Sequence, residues 1–271
     1  CYRLGVALAL RRGGILLINN EDIRQIIDTL APNRTYQYIS ARDTGESRTQ
    51  FTDWLRAHTV RVGGPQLSPN PIYLNGKLRP PALAGPYATP LLPLPVSGAR
   101  CLVIQPYGSI SETGSARGTD FEVTFHCIEE SLREQGLTCL RHDPADCAED
   151  FDSTYSADSA EYQALHLLQE ADLVIADLTV ATPDVLIALG MRFGLRPART
   201  LLLARDGTAI PADLVGCRVI HYTQTGPTLS EREGRVLSET VSRHIQGIRS
   251  ETHVDSPVYL ALPDLHPAER I

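Results

Sequence analysis

The sequence predicts a doubly wound α/β fold, and three observations lead there. From residue 100 onward short apolar runs recur, the segments between them carry apolar residues at helical spacing, and the joints are marked by Gly, Pro, Asp and Ser. Strands that alternate with helices pair in parallel, because a parallel pair needs a crossover connection. A parallel sheet is covered on both faces, so its strands read as continuous hydrophobic runs.

CLVIQPYG (101–108) is the first such strand, closed by Pro and Gly. A loop rich in Ser, Thr and Gly follows, then TDFEVTFHCIEESLREQG, in which Phe121, Phe125, Ile128 and Leu132 fall on one helix face and Gly136 supplies the stop. LTCLRHD (137–143) is the second strand. Beyond a polar loop, Asp158 and Glu161 form a capping box for a helix with Tyr162, Leu165 and Leu168 inside. ADLVIADLT is the third strand, 184–195 a helix, TLLLARD (200–206) the fourth strand, a turn of helix follows Pro211, and RVIHY (218–222) is the fifth. Ser230 with Glu233 caps a last helix whose inner face is Val236, Leu237, Val241 and Ile245. Five strands wound this way predict a flavodoxin-like sheet of order 2-1-3-4-5.

The first hundred residues supply half of such a unit. LGVALALRRGGILLINN reads as a helix end running into a strand, followed by a short helix near 21–30, the strand TYQYIS, and a helix with Phe51, Trp54 and Leu55. Leu4-Gly5 recurs as Leu189-Gly190 and ILLIN at 15 as TLLLA at 200, both 185 residues on; Tyr38 recurs as Tyr222 after 184, and NPIYL at 70 as SPVYL at 256 after 186. A near-constant offset through helix, strands and tail indicates a tandem duplication whose first copy lacks its opening strands. The expected organisation is the C-terminal half of a first α/β copy over 1–60, a Pro- and Gly-rich tail and linker over 61–98, a complete domain over 99–249, and a C-terminal tail over 250–271. Beginning at Cys1 inside an apolar pattern, the chain reads as part of something longer. The segment 1–60 is expected not to fold alone, since two strands leave an open edge and too little core.

A net charge of −7 over 271 residues argues against a nucleic-acid groove or an anionic membrane surface, which need clustered Lys and Arg. No apolar run approaches the roughly 18 residues of a membrane span, and no signal-peptide pattern is present, so a cytoplasmic protein is expected. The six cysteines lack CxxC spacing and fall largely in apolar patterns, as reduced thiols do. His126, Cys127, Cys139 and His142 are zinc ligands by type but not by spacing, and neither GxGxxG nor phosphate-loop spacing occurs. No metal and no cofactor are expected.

Open parallel sheets bind ligands outside the carboxyl ends of their strands, where strand order reverses. There the sequence places Tyr107 and Gly108 after strand one, Arg117 before the first helix, His142 and Asp143 after strand two, Asp177 and Thr179 at the end of strand three, and Arg205 and Asp206 after strand four. The loop from Gly108 to Thr119 reads either as a phosphate cradle at a helix N-terminus, with Arg117 adding charge, or as an ordinary surface loop and cap. Asp143 and Asp206 suit turns. Asp177 stands apart: an ionised carboxylate ending a buried strand is costly unless donors surround it, so a functional role is expected there. Asp172, at the head of the same strand, reads as a cap on the preceding connection.

Taken in order, CLVIQPYG, RGTDF, ADLVIADLT, PDVLIALG, LLLARDG, IPADL and RVIHY resemble the nucleoside 2-deoxyribosyltransferase-like superfamily. They look closest to its TRAFs-binding-like branch, found in large bacterial signalling or defence proteins. The resemblance covers 101–222 and, through the repeat, 1–40. It implies the same sheet, with a nucleoside or nucleotide at the carboxyl edge, a Glu that attacks the anomeric carbon, and an Asp from strand three that helps hold base or sugar. The strand-three acid stands here as Asp177. The family's Asn-x-x-x-Glu-Leu-Gly helix has Asp184 for Asn and Ala188 for Glu; in the first copy Arg3 takes that place. An alanine methyl forms no glycosyl ester, and loss of a covalent nucleophile removes most of the rate.

The reading that follows is a nucleotide- or nucleoside-binding sensor or regulatory module without glycosidic activity. Its expected ligand-binding residues are Tyr107, Gly108, Arg117, Asp143, Asp177, Thr179 and Asp184. The alternative is an N-glycosidase or deoxyribosyltransferase acting through Asp177 and a relocated carboxylate, Asp184 or Asp143; Asp184 lies about 6 Å along the helix from the expected position. A third reading is a protein-interaction scaffold, favoured by the apolar tails NPIYLNGKL and SPVYLALPDL, which otherwise lie extended on their own domains. Expected partners are the nucleoside or nucleotide and a protein partner or second copy, with neither nucleic acid nor membrane.

Overall fold

The computed structural model describes residues 6, 17–19, 38–40, 78–79, 82–83, 93–111, 118–141, 167–250, 253–267 and 269–270. In chain order the elements are β1 (Leu17–Asn19), β2 (Tyr38–Ser40), β3 (Leu78–Arg79), β4 (Ala82–Leu83), β5 (Arg100–Ile104), β6 (Ser109–Ser111), β7 (Gly118–Asp120), α1 (Phe121–Glu134), β8 (Thr138–Arg141), β9 (Leu173–Asp177), α2 (Pro183–Leu195), β10 (Thr200–Arg205), a single turn at Ala212–Leu214, β11 (Val219–Tyr222), α3 (Glu231–Ser250), α4 (Pro257–Ala261), β12 (Leu265–His266) and β13 (Glu269–Arg270).

The five apolar runs form one all-parallel sheet in the order β8-β5-β9-β10-β11. Counted within the domain this is 2-1-3-4-5, the doubly wound flavodoxin-like order. Side chains of successive strand residues point to opposite faces, and both faces are covered. Cys101, Val103, Leu173, Ile175, Leu201 and Leu203 share one core with Phe125, Ile128 and Leu132 of α1 and Leu237, Val241 and Ile245 of α3. Their neighbours Leu102, Val174, Ala176, Leu202 and Ala204 pack on the other side, against α2 and the tail.

The helix signals act as local chemistry predicts. Ser230 and Glu233 close the capping box of α3: Glu233 Oε2 accepts from Ser230 N (2.8 Å) and Oγ (2.7 Å), while Ser230 Oγ accepts from Glu233 N (3.3 Å). Gly136 ends α1 at φ +72°, a conformation that costs glycine little. α1 and α3 pack closely enough that a Cβ on Gly234 would lie 2.9 Å from Cys127 Sγ.

Three expectations are corrected. Val236 is 54% exposed, and Ile248 joins the α3 core stripe in its place. The reason is rotation: Leu237, Val241, Ile245 and Ile248 follow the helical period, and Val236 lies about 100° off it. Asp172 does not cap the connection before it; its Oδ2 accepts from Arg100 N (2.8 Å), and its own N–H donates to Arg100 O (2.9 Å), pinning the heads of β9 and β5 together. The C-terminal tail is not an extended strip. Ser256 caps the short helix α4 and donates to Phe193 O (2.7 Å), and Tyr259 OH donates to Gly194 O (3.0 Å), seating the tail on α2. Beyond α4, β12 and β13 pair antiparallel with β4 and β3, in the segment read as linker.

Arg192 has no counterpart in the sequence reading. It is 1% exposed, and its guanidinium donates to the carbonyls of Leu168 (2.8 Å), Ala171 (2.9 Å), Ala198 (3.2 Å) and Arg199 (3.3 Å). Burial lowers its pKa to about 9, and the charge is held by carbonyl dipoles from the segment leading into β9 and from the connection between α2 and β10. The capping box at Asp158 and Glu161, Tyr162, Leu165, and the helix with Phe51, Trp54 and Leu55 lie outside the described residues. Leu168 is buried at 2% exposure. Among the described residues no helix is long and apolar enough to cross a membrane.

Candidate functional site

At the carboxyl ends of β9, β10 and β11 a single polar network forms. Asp177 follows Leu173 and Ile175 on the α1 and α3 face and has no exposed surface. Its Oδ1 accepts from Thr179 N (2.8 Å) and its Oδ2 from Tyr222 OH (3.1 Å). Thr179 Oγ1 lies 2.9 Å from Tyr222 OH and accepts from Arg205 N (2.9 Å). The Arg205 guanidinium continues the chain to Thr119 Oγ1 (3.2 Å). With Asp177 ionised, the donors run in series from Arg205 N through Thr179 and Tyr222 to the carboxylate, an arrangement that a low-dielectric interior strengthens. Burial nevertheless dominates and pushes Asp177 above the usual carboxylate range, against the pull of Thr179, Tyr222 and Arg205. Tyr222 is pushed up too, by burial and by the adjacent Asp177.

At the ends of β5 and β8 the chemistry is different. Glu122, in the first turn of α1, takes both arms of Arg141 (2.6 and 2.8 Å) and accepts from Gly108 N (3.0 Å). The Arg141 guanidinium also lies over the rings of Tyr107 (4.2 Å) and Phe125 (4.4 Å). The bidentate partner holds Glu122 down to about 2. Phe121 N donates to Gly108 O (2.9 Å) and Gln105 Nε2 to Phe121 O (2.6 Å), so the loop after β5 is strapped to the start of α1. Sequence reading missed this clamp. Its signal was an acid in a helix's first turn and an arginine ending strand two, on elements that the topology makes neighbours.

Of the expected ligand residues, the fold bonds Asp177 directly to Thr179, and both are buried. Tyr107 and Gly108 are half-buried at the mouth of the β5 loop. Asp184 stands exposed in the first turn of α2, where partial burial raises its pKa. Ala188, one turn later, packs against the cluster of Leu102, Ile187 and Met191. Asp206 is a turn residue whose Oδ2 accepts from Thr223 Oγ1 (2.7 Å). Arg117, His142 and Asp143 lie outside the described residues.

Among the described residues no group of three or more His, Cys, Asp or Glu side chains is placed to hold a metal ion. Cys101, Cys127, Cys139 and Cys217 are free thiols, and burial pushes Cys139 up to about 12. Comparison with protein-family models and with curated proteins finds no match.

Proposed function

We propose that the domain is a nucleotide- or nucleoside-binding regulatory module of deoxyribosyltransferase-like ancestry that lacks glycosidic chemistry. The observation that carries this reading is the 2-1-3-4-5 sheet, whose strand order reverses between β5 and β9, the switch point at whose carboxyl-end crevice such sheets bind ligands. Tyr107 and Gly108 flank that crevice from the β5 loop, Thr179 and Asp184 from the β9 loop and α2; Arg117 and Asp143 are assigned to the same rim. Asp177 serves from beneath, holding Thr179 and Tyr222 rather than meeting the ligand's solvent-facing side. Ala188 leaves no nucleophile for the sugar carbon.

The same reading takes 1–60 as a truncated first copy. β1 and β2 pair in parallel, as β10 and β11 do, although Leu17 meets Tyr38 while Leu202 meets Val219, three residues short of Tyr222. Parallel pairing supports the duplication; on this reading the shifted register is divergence between the copies.

Thermal-shift and calorimetric titration with nucleosides, nucleotides and NAD is expected to reveal a stabilising ligand, weakened by Tyr107→Ala. No stabilisation across the panel would sink the proposal. The catalytic alternative draws on Asp184, whose raised pKa suits a proton donor. Free base released from a nucleoside by the wild type, and lost in Asp184→Ala, would put that alternative first.

A further inference from the structure

A cleft of about 180 Å³ opens at the opposite edge of the sheet, at the amino ends of β10 and β11. Leu201, Leu202 and Ile248 contribute its apolar side, and Arg218, Arg243, His244, His253 and Asp255 its polar side. Four elements converge here: the start of β10, the residue before β11, the last turns of α3, and the tail, which Asp255 N and Ser256 N fasten to Pro197 O (3.1 and 3.0 Å). In a chain of net charge −7, two guanidiniums beside one carboxylate give this cleft a locally positive lining. Arg218 and Arg243 are exposed, and neither is ion-paired among the described residues.

Asp255 supplies the complementary end. Its Oδ2 accepts from Arg199 N (2.6 Å) and Thr200 N (3.2 Å), whereas its Oδ1 is buried with no hydrogen-bond partner among the described residues. An acceptor left in that state is costly, which favours a donor that enters from the cleft and displaces the side chains closed over it. The histidines, Asp255 and Cys217 do not come close enough together to bind a metal ion. The cleft has room for a small anion.

We infer that this amino-edge cleft binds a small soluble phosphomonoester that also carries an amine or hydroxyl donor. Arg218 and Arg243 take the phosphate, for which the guanidinium fork is suited, and Asp255 takes the donor. The site is separate from the proposed nucleoside crevice, and neither reading depends on the other.

The test uses the full chain with phosphoethanolamine as probe, and inorganic phosphate and ethanolamine as the two halves of its chemistry. Calorimetry is expected to show phosphoethanolamine binding more tightly than phosphate, with ethanolamine silent. Arg218→Ala and Arg243→Ala, both at exposed positions, are each expected to weaken binding about tenfold or more. Asp255→Asn is expected to bring phosphoethanolamine down to the affinity of phosphate. No binding at millimolar probe, or binding unchanged in the double arginine variant, overturns the inference. Nucleoside binding, read in the same variants, is expected to be unaffected, so the two sites succeed or fail separately.

Discussion

The carboxyl edge of the sheet holds two acids that accept a backbone N–H in the same way and sit in opposite electrostatic conditions. Glu122 meets Gly108 N and a guanidinium, keeps 44% of its side chain in solvent, and is held down to about 2. Asp177 meets Thr179 N and a tyrosine hydroxyl, has no exposed surface, and is pushed up by burial. What separates them is solvent and a bonded countercharge. Neutral donors at about 3 Å do not replace lost hydration for a full charge, whereas a bidentate arginine at the surface lets the carboxylate keep both. Glu122 thus clamps a loop, and Asp177 ties together the ends of three strands.

The largest expected effect comes from Asp177→Asn. The folded protein holds the Asp177 proton to higher pH than the unfolded chain does, because its pKa is raised above 3.8. Its contribution to stability is therefore complete below that ordinary value and is lost as pH climbs towards the raised one. Asparagine still accepts from Thr179 N, donates to the Tyr222 oxygen, and carries no charge. The variant is expected to gain on the wild type as pH rises, by at most about 1.4 kcal/mol per unit. Urea melts from mildly acid to mildly alkaline pH measure this; equal slopes would mean that Asp177 is ionised and compensated, and the contrast with Glu122 would collapse.

Tyr222→Phe follows, at about 1–2 kcal/mol destabilising at neutral pH, for removing the donor to one oxygen of a buried acid. The loss should be largely absent in an Asp177→Ala background, where no carboxyl remains for the Tyr222 hydroxyl to bond. A double-mutant cycle checks this, and additive losses would show that the hydroxyl acts through Thr179 alone.

Sheet order, the helices over 121–134 and 183–195, and the capping box of α3 were legible because each is written locally, in apolar period, Gly stops and Ser/Glu spacing. Asp177 was legible as an anomaly, an acid ending an apolar strand, but not as a closed hub. Its partner Tyr222 lies 45 residues on, and only the pairing of β9, β10 and β11 brings the two together. The Glu122–Arg141 clamp was hidden for the same reason. Arg192 was hidden more deeply, since its partners are backbone carbonyls, which every sequence supplies and none marks.

The smallest expected effect is that of Glu122→Gln, and it carries the opposite sign of pH dependence. Because the folded pKa is about 2 against an ordinary 4.5, the stability Glu122 contributes is present above 4.5 and is lost as pH falls towards 2. With much of the side chain in solvent, the gain is discounted to at most about 1 kcal/mol, and less in high salt, where screening shortens to about 3 Å at 1 M. Glutamine keeps an acceptor for Gly108 N but loses the bidentate charge. Melts in low and high salt should therefore converge on the variant's value. A loss that persists in high salt would mean that the clamp works by hydrogen bonding and by stacking Arg141 on Tyr107, leaving loop geometry, not charge, as the quantity Glu122 controls.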